Sequence, residues 1–298
     1  MIPVYFRDEM TAANAESFSP SAAKPAAAVR DWLARTDLAG GIELLSFEPA
    51  DRDTLALAHD RAYIDGVLDC RLPNGFSNKD PEVAASLPYT TGSLLAAARF
   101  VLGELEDWTS RPRIACSPTS GFHHAHFAGG GGYCTFNGLM ITALALKAAD
   151  LVDRVLVLDA DEHYGDGTQD IIATLGVESW VTHVTHRGRL PGSYADRAGM
   201  LRRIRQHVPK HGALSRGRGL VLYQAGADPH VDDPLGGFLL SAEMLARDRL
   251  VFDLAVQHRV PLVWCLAGGY QRDVQGTIGP VLALHRQTMV AAIEAQET

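Results

Sequence analysis

Near the middle of the chain, the apolar run Val155 to Leu158 opens onto Asp159-Ala160-Asp161-Glu162-His163-Tyr164-Gly165-Asp166-Gly167. Alternate residues of an extended backbone point to one side. Asp161 and His163 can therefore face a single cation, with Asp159 on the same side for as long as the strand continues. A buried charge is costly unless it is paired or bound to a metal. Carboxylate and imidazole at this spacing suit two ligands of one Zn²⁺. The plainer reading of the same residues is an acidic turn before a helix, with Asp166 as its cap.

Three other segments carry chemistry. In SPTSGFHHAHFAGGGGYCTFN, His123 and His124 are adjacent, and Gly129 to Gly132 are consecutive glycines. Neighbouring imidazoles reach one site only on a turn, and glycines permit tight backbone paths and close approach of a ligand. In VLYQAGADP, Asp228 follows another apolar run. It would complete a set of two carboxylates and one imidazole, leaving an open position for water or substrate as catalytic zinc requires. In PLVWCLAGGY, Tyr270 follows Gly268 and Gly269, placed to lend its hydroxyl to a substrate. Alone, each segment has a structural reading: loop histidines, a turn aspartate, a packed tyrosine. Packing does not require all of them to fall at the ends of apolar strands.

The elements that must position these residues follow a regular rhythm. Apolar strands are predicted at 113–117, 154–159, 181–185, 218–225 and 262–266, with helical patterns at 137–149, 168–175, 196–207, 241–258 and 279–296. The first third predicts strands at 2–6 and 42–47 and helices at 22–34, 52–58, 62–70 and 83–105, the last broken near Pro88. Residues 71–82 are rich in turn formers and predict a loop. Alternation of helices with almost wholly apolar strands predicts an α/β fold, a central mostly parallel sheet with helices on both faces. In such folds ligands bind at the carboxyl ends of the strands. No repeat or long linker divides the chain, which predicts one domain over 1–298.

The 298 residues are 47% hydrophobic, enough for a large core, and carry a formal net charge of −8. That charge argues against a direct nucleic-acid partner. The four cysteines, at 70, 116, 134 and 265, are too widely spaced for a zinc ribbon or a disulfide framework. The N-terminus lacks a signal-peptide pattern, and no run of about 18 apolar residues would span a membrane. The expectation is a cytoplasmic protein.

The chain resembles the zinc-dependent histone deacetylase family, including the bacterial acetylpolyamine amidohydrolases. The resemblance rests on GFHHA (121–125), GGGYCTFN (130–137), DADEHYGDG (159–167), AGAD (225–228) and AGGY (267–270), in the family's order and spacing, and on AHDRAYIDGVL (58–68), similar to an H-x-x-x-Y pattern. It implies an arginase/deacetylase-like fold and hydrolysis of an acetylated (acylated) amine such as acetyl-lysine or an acetylpolyamine. It implies Asp161, His163 and Asp228 as ligands of one catalytic Zn²⁺. His123 and His124 would be the active-site histidines, oriented by Asp159 and Asp166 respectively, and Tyr270 would polarise the substrate carbonyl. Gly132, Tyr133, Leu190 and Gly268 would line the substrate channel, and family members include homo-oligomers.

The chain departs from the family in several places. Tyr164 follows the histidine ligand where His is common, and Leu190 in Arg189-Leu190-Pro191-Gly192 stands where Phe is common. In HVTHR (183–187), Val184 replaces a Ser that helps bind K⁺, with Thr185 adjacent; the structural K⁺ that the resemblance implies would lack that hydroxyl. SPSAAKP (19–25) lacks a frequent His-Pro-Glu pattern. The loop 74–83 is read as a rim over the site, with Asp80 or Glu82 available to orient a cationic substrate. Two alternatives stay open: a binuclear manganese ureohydrolase of related fold, and a non-catalytic protein that binds an acylated ligand.

Overall fold

In the computed structural model, the structure describes residues 1–13, 18–103, 114–187, 195–212 and 218–297. Seven strands, β1 (Ile2–Tyr5), β2 (Ile42–Leu45), β3 (Ile114–Ser117), β4 (Arg154–Asp159), β5 (Val181–Val184), β6 (Gly219–Gly226) and β7 (Leu262–Ala267), form one sheet in the order β2-β1-β3-β7-β6-β4-β5. Every pairing is parallel. The sheet is therefore wholly parallel rather than mostly so.

The helices are α1 (Lys24–Leu33), α2 (Thr36–Ala39), α3 (Arg52–Leu55), α4 (Arg61–Leu68), α5 (Pro81–Leu102), α6 (Gly138–Ala148), α7 (Asp166–Leu175), α8 (Arg197–His207), α9 (Ser241–Gln257) and α10 (Gly279–Gln296). Because side chains alternate across a strand, each strand feeds two cores. Leu156, Leu158, Tyr223 and Trp264 pack with residues of α1, α8, α9 and α10. Val155, Val157, Leu222 and Cys265 pack with residues of α4, α5, α6 and α7. Two covered faces explain why the strands read as unbroken apolar runs.

The register delivers the chemistry. Four neighbouring strands, β3, β7, β6 and β4, precede the four motif-bearing loops. Ser117 lies level with Cys265, Asp159 with Gln224, and Gly226 with Ala267. The loops thus leave one edge of the sheet side by side.

Helix α5 differs from expectation. It runs unbroken through Pro88, although proline removes an N–H and crowds the preceding turn. Local carbonyls find side-chain donors: the Ser86 hydroxyl donates to Val83 O and the Thr90 hydroxyl to Leu87 O. The Pro88 carbonyl accepts from Ala50 N at 2.9 Å. Packing of Leu87, Leu94 and Ala98 in the core then carries the helix through. The short α2 was not apparent from periodicity, since four residues show too little of a 3.6-residue repeat.

The helix starts at Pro81 because Asp80 caps it. Its Oδ1 accepts from Glu82 N at 2.7 Å and Val83 N at 3.4 Å, and Pro81 occupies the first turn, where its missing N–H costs nothing. Asp80 thus serves as the helix cap through one oxygen of its carboxylate. Asp80→Ala is expected to lower unfolding free energy by about 1 kcal/mol, measured by urea denaturation, with the native circular dichroism unchanged.

Candidate active site

The turn after β3 sets His123 and His124 with ring centroids 4.1 Å apart and planes inclined by 52°. Each imidazole presents Nδ1–H to a carboxylate: His123 to Asp159 Oδ2 at 2.8 Å, His124 to Asp166 Oδ1 at 2.6 Å. An ionised carboxylate only accepts, so each pairing fixes the tautomer and leaves Nε2 for the site. The two pairs differ in solvent access. Asp159 is fully buried and also accepts from Gln224 Nε2 at 2.9 Å, whereas Asp166 opens α7 and is exposed. Burial would raise the Asp166 carboxyl, but the hydrogen bond and charge of His124 hold it down at about 2.

Asp161, His163 and Asp228 converge beside these pairs, each offering one ligand atom, with those atoms within 4.8 Å of one another. His163 Nδ1 lies 3.2 Å from Asp161 Oδ1 and 3.0 Å from Asp228 Oδ2. Both aspartates are buried. Backbone donors aim the carboxylates: His163 N donates to Asp161 Oδ1 at 2.9 Å and Glu162 N to Asp228 Oδ1 at 3.1 Å. Hydrogen bonds to Asp161 and then Asp228 push the His163 imidazole up to about 11. Burial, then the charge of Asp161, raises Asp228 to about 7. Two buried carboxylates with one imidazole between them are short of positive charge, and a divalent cation with N and O ligands fits that donor set. His123 Nε2 points to the same place, 3.7 Å from Asp161 Oδ1.

The fourth loop closes the site. Gly268 takes φ +45°, and a Cβ there would fall 2.2 Å from Asp228 Cγ, so only glycine lets the backbone pass. Tyr270 N donates to Asp233 Oδ2 at 2.8 Å. Burial first, then the charges of Asp161 and Asp228, push the Tyr270 hydroxyl up, so it keeps its proton as a donor. Its ring stacks on Phe18 at 5.6 Å and lies 6.2 Å from the Tyr133 ring, which in turn meets Phe76 at 5.6 Å. Gly132 abuts His124: a Cβ on it would lie 2.5 Å from His124 Cδ2. Leu190, the expected opposite wall, lies outside the described residues. Phe18 and Phe76 were not anticipated, being isolated aromatics in turn-rich segments with no periodic signal.

The H-x-x-x-Y segment braces the histidine loop. His59 is buried, accepting from Asn137 N at 2.8 Å on Nε2 and facing His126 O at 2.9 Å with Nδ1. Burial pulls it down to about 4, keeping it neutral for both bonds. The Tyr63 hydroxyl donates to Thr135 O at 2.9 Å. In β5 and beyond, Val184 is apolar and buried, while the Thr185 hydroxyl accepts from Gly165 N at 3.1 Å.

Residues 19–192 match the family described as the histone deacetylase domain. The chain is similar to an uncharacterised protein of Picosynechococcus sp., 27% identical over 252 residues, covering 79% of this chain and 81% of that protein. It is also similar to the chloroplastic histone deacetylase 10 of Oryza sativa subsp. japonica, 26% identical over 231 residues, covering 66% of this chain and 51% of that protein. The chain thus spans about half the length of the rice relative. Among solved structures, an acetylpolyamine aminohydrolase from Burkholderia pseudomallei superposes with a TM-score of 0.71 over 98% of both chains at 19% identity. That likeness establishes the shared fold.

A further residue at the site, besides Phe18 and Phe76, carried no sequence signal. Lys24 opens α1 in an alanine-rich stretch and is fully buried. Its ammonium donates to the Gly268 carbonyl and to Ser120 Oγ, the latter at 3.1 Å. Burial lowers it, and Asp228 and Asp161 partly restore it, leaving it at about 8 against an ordinary 10.5. The folded protein therefore releases this proton near pH 8, while the unfolded chain keeps it to about 10.5. Between those values the unfolded chain binds more protons, so stability rises with pH. Between pH 8 and 10 the parent is expected to gain on the order of 2–3 kcal/mol relative to Lys24→Met, measured by guanidinium denaturation of both proteins.

Proposed function

The chain belongs to the histone deacetylase domain family, and from that membership we propose that it is a Zn²⁺-dependent amidohydrolase that removes an acetyl group from an amine. The observation that carries this reading is the convergence of two carboxylate-backed imidazoles and a protonated tyrosine on the buried Asp161–His163–Asp228 cluster. A Zn²⁺ held by those three residues would polarise the amide carbonyl and lower the pKa of a water.

The remaining work falls to side chains. His124, whose Asp166 partner is solvent-exposed, takes a proton from the attacking water and later returns one to the leaving amine. Its Nδ1–H bond to Asp166 fixes the ring direction and leaves Nε2 facing the site. His123, beside the ligand cluster and backed by buried Asp159, stabilises charge as it develops. Tyr270 donates its O–H to the oxyanion of the substrate, a donor set in place before charge appears. Acetate and a free amine result. The rings of Phe18, Phe76, Tyr133 and Tyr270 favour a slender methylene stem behind the amide, as acetyl-lysine and acetylpolyamines both have.

The test is a set of initial rates on an acetyl-lysine peptide and on N-acetylspermidine. Tyr270→Phe is expected to lower kcat by about 10²–10³ with native structure intact, and His124→Ala by about 10²–10⁴. Chelation should abolish turnover and one equivalent of Zn²⁺ restore it. A folded Tyr270→Phe protein with parental rates would sink the oxyanion role, and a requirement for two Mn²⁺ per chain would favour the ureohydrolase chemistry.

A further inference from the structure

Behind the ligand cluster, on the face covered by α9, lies a buried cation that the proposed chemistry does not use. Arg247 has no exposed surface. Its Nε donates to Asp248 Oδ1 at 2.8 Å, and a single terminal nitrogen, Nη1, donates to two carbonyls: Ala160 O at 3.1 Å and Gly226 O at 2.9 Å. Asp248 is held in turn by the hydroxyls of Tyr223 and Thr288, the latter at 2.7 Å.

The two carbonyls are not arbitrary. Ala160 immediately precedes Asp161, and Gly226 lies two residues before Asp228. The paired register of β4 and β6 ends at Asp159 and Gln224, and Arg247 ties the two chains together just beyond it. They pass so closely there that a Cβ on Gly226 would lie 2.6 Å from the Asp161 Cα. The planar guanidinium offers donors in a fixed fork, a geometry an ammonium on a flexible stem does not reproduce. A buried ion pair is weak evidence of stabilisation, since apolar residues of similar volume often serve as well. The location of this one calls for another role.

We propose that Arg247 is a positioning residue for the metal site: by holding the carbonyls of Ala160 and Gly226 it fixes the separation of Asp161 and Asp228, and so the grip of the cluster on Zn²⁺. This rests on the zinc reading of the cluster given above. Outer groups that orient metal ligands typically change affinity by about 10- to 100-fold when lost.

The test measures Zn²⁺ affinity by chelator competition on the parent, on Arg247→Lys, and on the double variant Arg247→Met/Asp248→Asn. The double variant leaves no buried charge and keeps a carbonyl oxygen for Tyr223 or Thr288. Tyr223→Phe, which removes the hydroxyl that donates to Asp248 and keeps the ring against Phe252, serves as control. The expected result is a loss of about 10- to 100-fold in both Arg247 variants, near-parental affinity in the control, and an altered visible spectrum of the Co²⁺-loaded variants. Folded variants with the parent's Zn²⁺ affinity and Co²⁺ spectrum would overturn the proposal. So would collapse of both variants to unfolded chain, which would make the pair a requirement of folding instead. A parent that takes up no Zn²⁺ is a different result: it would overturn the zinc reading itself.

Discussion

Asp161 and Asp228 are buried side by side at the ends of adjacent strands, and the rest of the site is organised by that fact. Taking two like charges out of water costs several kcal/mol each unless opposite charge is brought to them. Around them the fold supplies backbone N–H groups from Glu162 and His163, the imidazole of His163, and the ammonium of Lys24 within their field. Burial first, and then the same field, keep the Tyr270 hydroxyl protonated. In the proposed reaction, the same buried negative charge that would hold a cation also helps keep the hydrogen-bond donor for the oxyanion protonated.

The two histidine–carboxylate pairs show how burial differentiates similar parts. Both use Nδ1 toward a carboxylate and Nε2 toward the site, yet one carboxylate is sealed and further hydrogen-bonded while the other sits at a helix start in contact with water. Adjacent positions on one tight turn, a sequence separation of one residue, produce two different environments because their partners come from opposite ends of the β4–α7 connection.

Much of this was legible in the sequence where chemistry abuts a periodic element. Asp159, Asp161 and His163 announce themselves because they follow an apolar strand, and the alternation rule already places the last two on one side. The paired cores account for the strands being recognisable at all. What stayed hidden has a common cause: polar residues inside helical patterns are indistinguishable from solvated ones until tertiary contacts exist. Arg247, Asp248 and Arg249 are consecutive charged residues within one helical pattern. Yet the first two are buried, while Arg249 pairs with exposed Glu294. Lys24 is hidden in the same way among alanines. At Pro88 the local rule was sound and tertiary packing overrode it. Phe76 sits in the loop read as a rim over the site, but its turn-rich composition singles out no residue of that loop.

The strand order has a consequence for how the protein comes into being. β7 lies between β3 and β6, but it is the last strand in the chain. Until it inserts, the half carrying His123 and His124 and the half carrying Asp161, His163 and Asp228 have no ladder joining them. Such long-range pairing is slow, because loop-closure entropy is lost before contacts compensate for it. The two halves therefore gain a shared ladder only once β7 is in place, so a nascent chain in which β7 is still within the ribosome has every proposed ligand and both imidazoles but lacks the strand that joins them.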